Sequence, residues 1–221
     1  MRFLVPLCLL LWLQGPLAAQ SAKLSIRTLS LYPVKMPELY TPEGKTLVPL
    51  TFTDIQPSTP MRVDRLDGLP IYTTPVVPEG KAAPPFTIKL PGAASDILLL
   101  AWLGPQGKPQ FLAVPDPSAT ARQKDWMVIN STANNVALQI GANTKPTPVK
   151  AGSHQVIEVT APVNTGAAVT IATPRDDTWQ TFYSTYWPVF ADKRCLILIL
   201  QDGEKMRVKQ IFEDLPKPDT P

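Results

Sequence analysis

Short apolar stretches separated by turn-forming residues run through most of the chain. Leu24-Ser-Ile-Arg-Thr-Leu-Ser-Leu31 alternates apolar and polar positions, and Phe86-Thr-Ile-Lys-Leu90 does the same. Alternation at a period of two describes a strand with one face in water. Ile97 to Leu103 and Cys195 to Leu200 are continuously apolar, the pattern of a strand buried on both faces or placed centrally in a sheet. Turn chemistry punctuates these runs. Asp202-Gly203 separates 195–200 from 206–212, Asp67-Gly68 separates 62–66 from 69–72, and Gly104-Pro-Gln-Gly107 joins 97–103 to 110–114. Asp-Gly between two such runs predicts a tight hairpin, because glycine adopts positive φ without steric cost. Strand-like segments with turns at intervals of about eight to twelve residues predict an all-β, mainly antiparallel sandwich with little helix.

Two segments need separate treatment. Trp179, Phe182, Tyr183, Tyr186, Trp187 and Phe190 fall at helical spacing, and Asp176, Asp177 or Thr178 would cap such a helix. The residue types are strand or loop formers, and Pro188 would interrupt a helix, so an extended segment is the better reading. In that form Trp179, Tyr183 and Trp187 share one face. An exposed aromatic face binds CH-rich surfaces such as sugar rings, whereas core packing is the commoner fate of large aromatics. The second segment is the polar knot Asn130-Ser-Thr-Ala-Asn-Asn135 between two apolar runs. Asn130-Ser131-Thr132 fits the N-glycosylation acceptor pattern. Asn, Ser and Thr also hydrogen-bond their own backbone and favour turns, so the knot reads as structural, turning one strand into the next.

Composition places the chain. Proline is abundant, 26 of 221 residues, and recurs between the apolar runs, where the lack of an N–H suits strand ends, edges and turns. The first residues, MRFLVPLCLLLWLQGPLAAQ, join a basic start, an apolar run from Phe3 to Leu13 and small residues before Gln20. That layout predicts a signal peptide over 1–19 and a secreted or periplasmic mature chain. The apolar run is too short to span a bilayer, which takes about 20 residues, so no membrane span is expected after cleavage. Residues 20–215 are assigned to one sandwich domain, with 216–221 as a disordered tail. The polar, proline-bearing stretch 115–123 permits an alternative of two sandwiches, 20–115 and 124–215. No internal repeat is visible in the sequence, which favours the single domain.

Charge and motifs then exclude chemistries. Removing Arg2 with the leader takes the formal net charge from +3 to +2, and the scattered basic residues form no stripe for nucleic acid. Nucleophile-elbow, P-loop, dinucleotide-binding, zincin and C-x-x-C motifs are absent. Without Cys8, which leaves with the leader, Cys195 is alone and forms no internal disulfide. Its one available base is His154; a small buried side chain and an edge-strand histidine are the simpler accounts. One histidine and one cysteine cannot build a His/Cys metal site, and Asp176-Asp177 is too short for calcium. A carboxylate hydrolase using Asp176, Asp177 or Glu158 is a third-ranked reading. No catalytic residue, metal or cofactor is therefore assigned.

The order INST…VALQIG…PVKAGSHQVIEV, Ile129 to Val159, resembles secreted bacterial β-sandwich proteins of unassigned function. The resemblance implies export and an immunoglobulin-like sandwich, and it carries no catalytic residue. The leading expectation is an exported, non-enzymatic protein with a structural or interaction role in the cell envelope or exterior. Its partner would be an envelope protein or a polysaccharide, reached through loops and strand edges. The alternative is a carbohydrate- or peptidoglycan-binding module using Trp179, Tyr183 and Trp187.

Overall fold

A computed structural model describes residues 22–76, 83–176 and 178–216. The leader assigned to 1–19 and the tail beyond Leu215 fall outside these residues, apart from Pro216. Asp177 is also outside them. The described residues are all-β, with two single-turn 3-10 segments. The first eight strands are β1 (Lys23–Ser30), β2 (Leu39–Glu43), β3 (Thr46–Leu50), β4 (Met61–Asp64), β5 (Leu69–Ile71), β6 (Phe86–Ile88), β7 (Asp96–Leu103) and β8 (Pro109–Pro115). The next eight are β9 (Asp125–Asn130), β10 (Val136–Ile140), β11 (Thr147–Val149), β12 (Ser153–Glu158), β13 (Gly166–Arg175), β14 (Thr178–Pro188), β15 (Lys193–Asp202) and β16 (Lys205–Asp214).

The two sets of eight have the same topology. β4-β1-β7-β8 form one sheet and β12-β9-β15-β16 another. In each, the second and third strands of that order run parallel and the other pairs antiparallel. β11-β10-β13-β14 form a third sheet. Its counterpart is the order β3-β2-β5-β6, made of two hairpins joined by the Tyr40–Tyr72 bridge. Adding eight to each strand number of the first half gives the second half. Strand lengths differ widely: β5 and β6 have 3 residues each, β13 and β14 have 10 and 11. That disparity leaves no repeat period in the sequence. The strands thus form two sheet pairs of one topology, on either side of the stretch 116–124.

The sheets stack in four layers with three apolar clusters between them. Leu24, Ile26, Val63, Ile97 and Leu99 pack against Leu39, Leu50, Leu69 and Ile71 inside the first sandwich. Trp126, Val128, Cys195, Ile197 and Ile199 pack against Val136, Leu138, Val169 and Ile171 inside the second. Between the sandwiches, Leu29, Leu98, Leu100 and Val114 meet Met127, Ile129, Leu196, Leu198 and Ile211. This seam explains the continuous apolar runs. In β7 and β15 the odd-numbered positions face one cluster and the even-numbered ones the other, because each strand is central in a sheet covered on both faces. It also corrects the reading of β1. Its polar-looking face is not in water: Arg27, Leu29 and Leu31 point into the seam, while Leu24, Ile26 and the buried Thr28 face the first core.

The hairpin expectations divide. β7–β8 and β15–β16 are hairpins, the latter with Gly203 at φ 61° inside an Asp202–Lys205 closing pair. Asp67-Gly68 is not a hairpin turn, since β4 and β5 belong to different sheets. Four residues, 65–68, carry the chain across the sandwich instead. Gly68 sits at φ 98°, with Thr87 Cγ2 only 2.8 Å from where a Cβ would stand. The knot at 131–135 is likewise an arch between sheets, from β9 to β10. The aromatic segment is strand β14, as its residue types predict.

Candidate binding cleft at the junction of the sandwiches

The candidate reactive groups do not come together: the thiol is buried, and the exposed carboxylates of Glu158 and Asp176 lie in different sheets. Cys195 is fully buried in the second core, and burial pushes its thiol up to about 12. His154 pairs with Ile129, whose side chain faces the seam, so it lies on the opposite face of the sheet from Cys195. The pair cannot meet. Burial holds the His154 imidazole below its usual range. Glu158 sits on β12 and Asp176 in the β13–β14 turn, in separate sheets. Among the described residues no three His, Cys, Asp or Glu side chains gather to hold a metal.

Asn130 is fully buried and is a scaffold residue. Its amide nitrogen donates to the carbonyls of Asn134 (2.7 Å), Lys150 (3.1 Å) and Val149 (3.2 Å). Its oxygen accepts from the Thr132 N–H (3.1 Å) and hydroxyl (2.8 Å). With both donors used on backbone carbonyls, the acceptor pattern has no exposed amide to offer an oligosaccharide. The structural reading of the knot agrees with this geometry.

The three aromatic candidates do not form a platform. Trp187 is 6% exposed and packs on Trp126, ring centroids 5.9 Å apart, with Tyr183 half-buried beside it at 5.7 Å. Trp179 is 54% exposed. The shared face fails for a specific reason. A bulge at Phe182 takes up one extra residue between the Ile171–Tyr183 and Ala172–Thr181 pairs. One inserted residue reverses the inside-outside alternation. Tyr183 and Trp187 therefore point inward, while Trp179, opposite Pro174, points out.

A cleft of about 810 Å³ lies where the two sandwiches meet, at the ends of β7 and β15. Its first lip is the β7–β8 hairpin, where Trp102 and Gln110 are direct cross-strand partners. Trp102 continues the seam face of Leu98 and Leu100 and is half-buried against that cluster. Gln110 folds over Gly104, so that a Cβ there would stand 2.4 Å from its amide nitrogen. The second lip is the β15–β16 hairpin, where Arg207 and Asp202 form an exposed ion pair at 2.7 Å. Gln110 and Arg207 hold equivalent places in the two halves: one lies opposite Trp102, the other opposite Leu200. The Tyr32 hydroxyl donates to the Gln201 carbonyl at 2.7 Å and ties the segment after β1 to the second lip. Burial chiefly, then Asp202, raises its pKa, and Arg207 works against them.

The opposite end of the seam is closed by charge. Arg27 bonds Asp116 (3.1 Å) and Glu213, and Arg194 bonds Asp116 (2.9 Å) and Glu213 (2.7 Å). The ring is neutral, largely dry, and crosses from one sandwich to the other. Lys209 adds a bond to the Asp54 carbonyl, and burial lowers its pKa. Sequence reasoning missed both ends. Arg27 is 89 residues from Asp116 and 186 from Glu213, and the cleft draws on four separate stretches, so no local spacing marks either. No protein-family model matches the chain, and no curated protein matches it.

Proposed function

We propose that this chain is an exported, non-enzymatic interaction module that presents the cleft between its sandwiches to a partner in the cell envelope or exterior, an envelope protein or a polysaccharide. One observation carries the reading. A cleft of about 810 Å³ sits at the junction of the two halves, lined by aromatic rings and a few convergent polar groups, the usual make-up of a ligand site. The non-enzymatic part is supported by the state of the reactive groups: the thiol is deep in a core, and Asp116 and Glu213 are each held by two arginines. Export rests on the leader-like start. Immunoglobulin-like character rests on the resemblance of 129–159, and the two-layer sandwiches are consistent with it. No helix among the described residues is long and apolar enough to cross a membrane.

The test is to express the full chain in a bacterial host, fractionate the cells and sequence the N terminus. A protein recovered outside the cytoplasm and beginning at Gln20 supports the reading. A cytoplasmic protein still beginning at Met1 contradicts it.

A further inference from the structure

We propose that the cleft binds a neutral carbohydrate chain, with Trp102 as its stacking surface and Gln110, Asp202 and Arg207 as its hydrogen-bonding rim. The proposal rests on the cleft being the ligand site of the module. Four features of the lips point to this class. Trp102 is anchored on the seam cluster yet remains partly exposed, so a large ring is held rigidly at the mouth. Rigid aromatic faces attract the CH-rich face of a sugar without ordering cost in the protein. Gln110 supplies an amide donor and acceptor beside that ring, and its packing over Gly104 fixes where the amide sits.

The opposite lip carries a guanidinium and a carboxylate already paired at 2.7 Å, with side-chain exposures of 60% and 54%. Their charges cancel, so the rim favours neither a phosphate nor a cationic peptide. It still offers N–H donors and carboxylate acceptors side by side, which vicinal hydroxyls can engage. The fourth feature is size. About 810 Å³ open to solvent exceeds what one sugar ring fills and suits a segment of a chain. Trp179 takes no part, since it stands on the outer face of the second sandwich.

The experiment is calorimetric titration of the full mature chain with cellohexaose, xylohexaose, chitohexaose, maltohexaose and laminarihexaose, all neutral. Wild type is expected to bind at least one of these with a Kd below ~1 mM. Gln110→Ala, on an exposed side chain, and Gly104→Ala, which displaces only the Gln110 side chain, are expected to weaken that binding about fivefold. Trp102→Ala is expected to abolish it, and Trp179→Ala to leave it unchanged. Because the Trp102 ring also packs on the seam, Gln110→Ala and Gly104→Ala decide the test, each with an unaltered melting temperature. If none of the five saccharides binds, or if the one that binds does so equally well in Gln110→Ala and Gly104→Ala, the proposal is overturned. The module reading fails separately, by the cytoplasmic location described above.

Discussion

At the scale of single residues, the strongest constraints are polar groups placed where water is absent. Arg194 is 2% exposed and satisfies two carboxylates at once. Removing one member of such a ring leaves partners charged and unpaired, which costs more than losing the ring. Arg194→Met is therefore expected to destabilise the chain by about 3–5 kcal/mol in urea unfolding. Replacing all four members with apolar residues of similar volume should cost less than that single change. Cys195 gives a second prediction. Its thiol is held at about 12 against an ordinary value near 9. The folded state then keeps a proton that the unfolded state sheds between those two values. This contribution to stability is fully present below pH 9 and is lost as pH rises toward about 12. Cys195→Ala should flatten the decline over that window. At pH 8 the native thiol should be inert to a water-soluble disulfide reagent and react fully only in denaturant.

At the scale of elements, β14 shows how one inserted residue decides which aromatics pack and which face water. Trp187→Ala is expected to cost about 3–5 kcal/mol, the range for truncating a buried Trp, and Trp179→Ala less than about 0.5 kcal/mol. Denaturation curves that shift equally for both would contradict the bulged register. The bulge itself was not legible: nothing in Gln180-Thr-Phe-Tyr-Ser184 marks Phe182 as the extra residue, because it is defined by pairing with β13. The identity of β14 as a strand was legible, from its aromatic and β-branched composition and from Pro188. The runs 97–103 and 195–200 announced burial on both faces, and the structure supplies the second covering layer. By contrast, the alternation in β1 cannot tell water from a second sandwich, since an arginine paired across a seam and one in solvent look alike in sequence. Asp67-Gly68 failed as a hairpin signal for a related reason. The dipeptide specifies a sharp backbone direction change, and only the partner strands decide whether that change stays within one sheet.

At the scale of the whole molecule, the central claim is that two sandwiches of one topology are locked into a single body. The seam is lined mainly by apolar side chains, closed at one end by the arginine–carboxylate ring and opened at the other into the cleft. Burial of this kind contributes about 25 cal/mol for each Å² of apolar surface removed from water, and it acts on both halves at once. Leu100→Asp would set a charge into the seam, where its cross-strand partners Leu29 and Leu112 are both apolar. That variant is expected to lose several kcal/mol and to expose enough apolar surface to bind a hydrophobic dye. The cleft depends on the same lock, because its lips come from different halves and keep their spacing only while the seam holds. Differential scanning calorimetry of the wild-type chain tests this most directly. The account predicts one endotherm, with calorimetric and van't Hoff enthalpies that agree; two separated transitions, one for each sandwich, would contradict it.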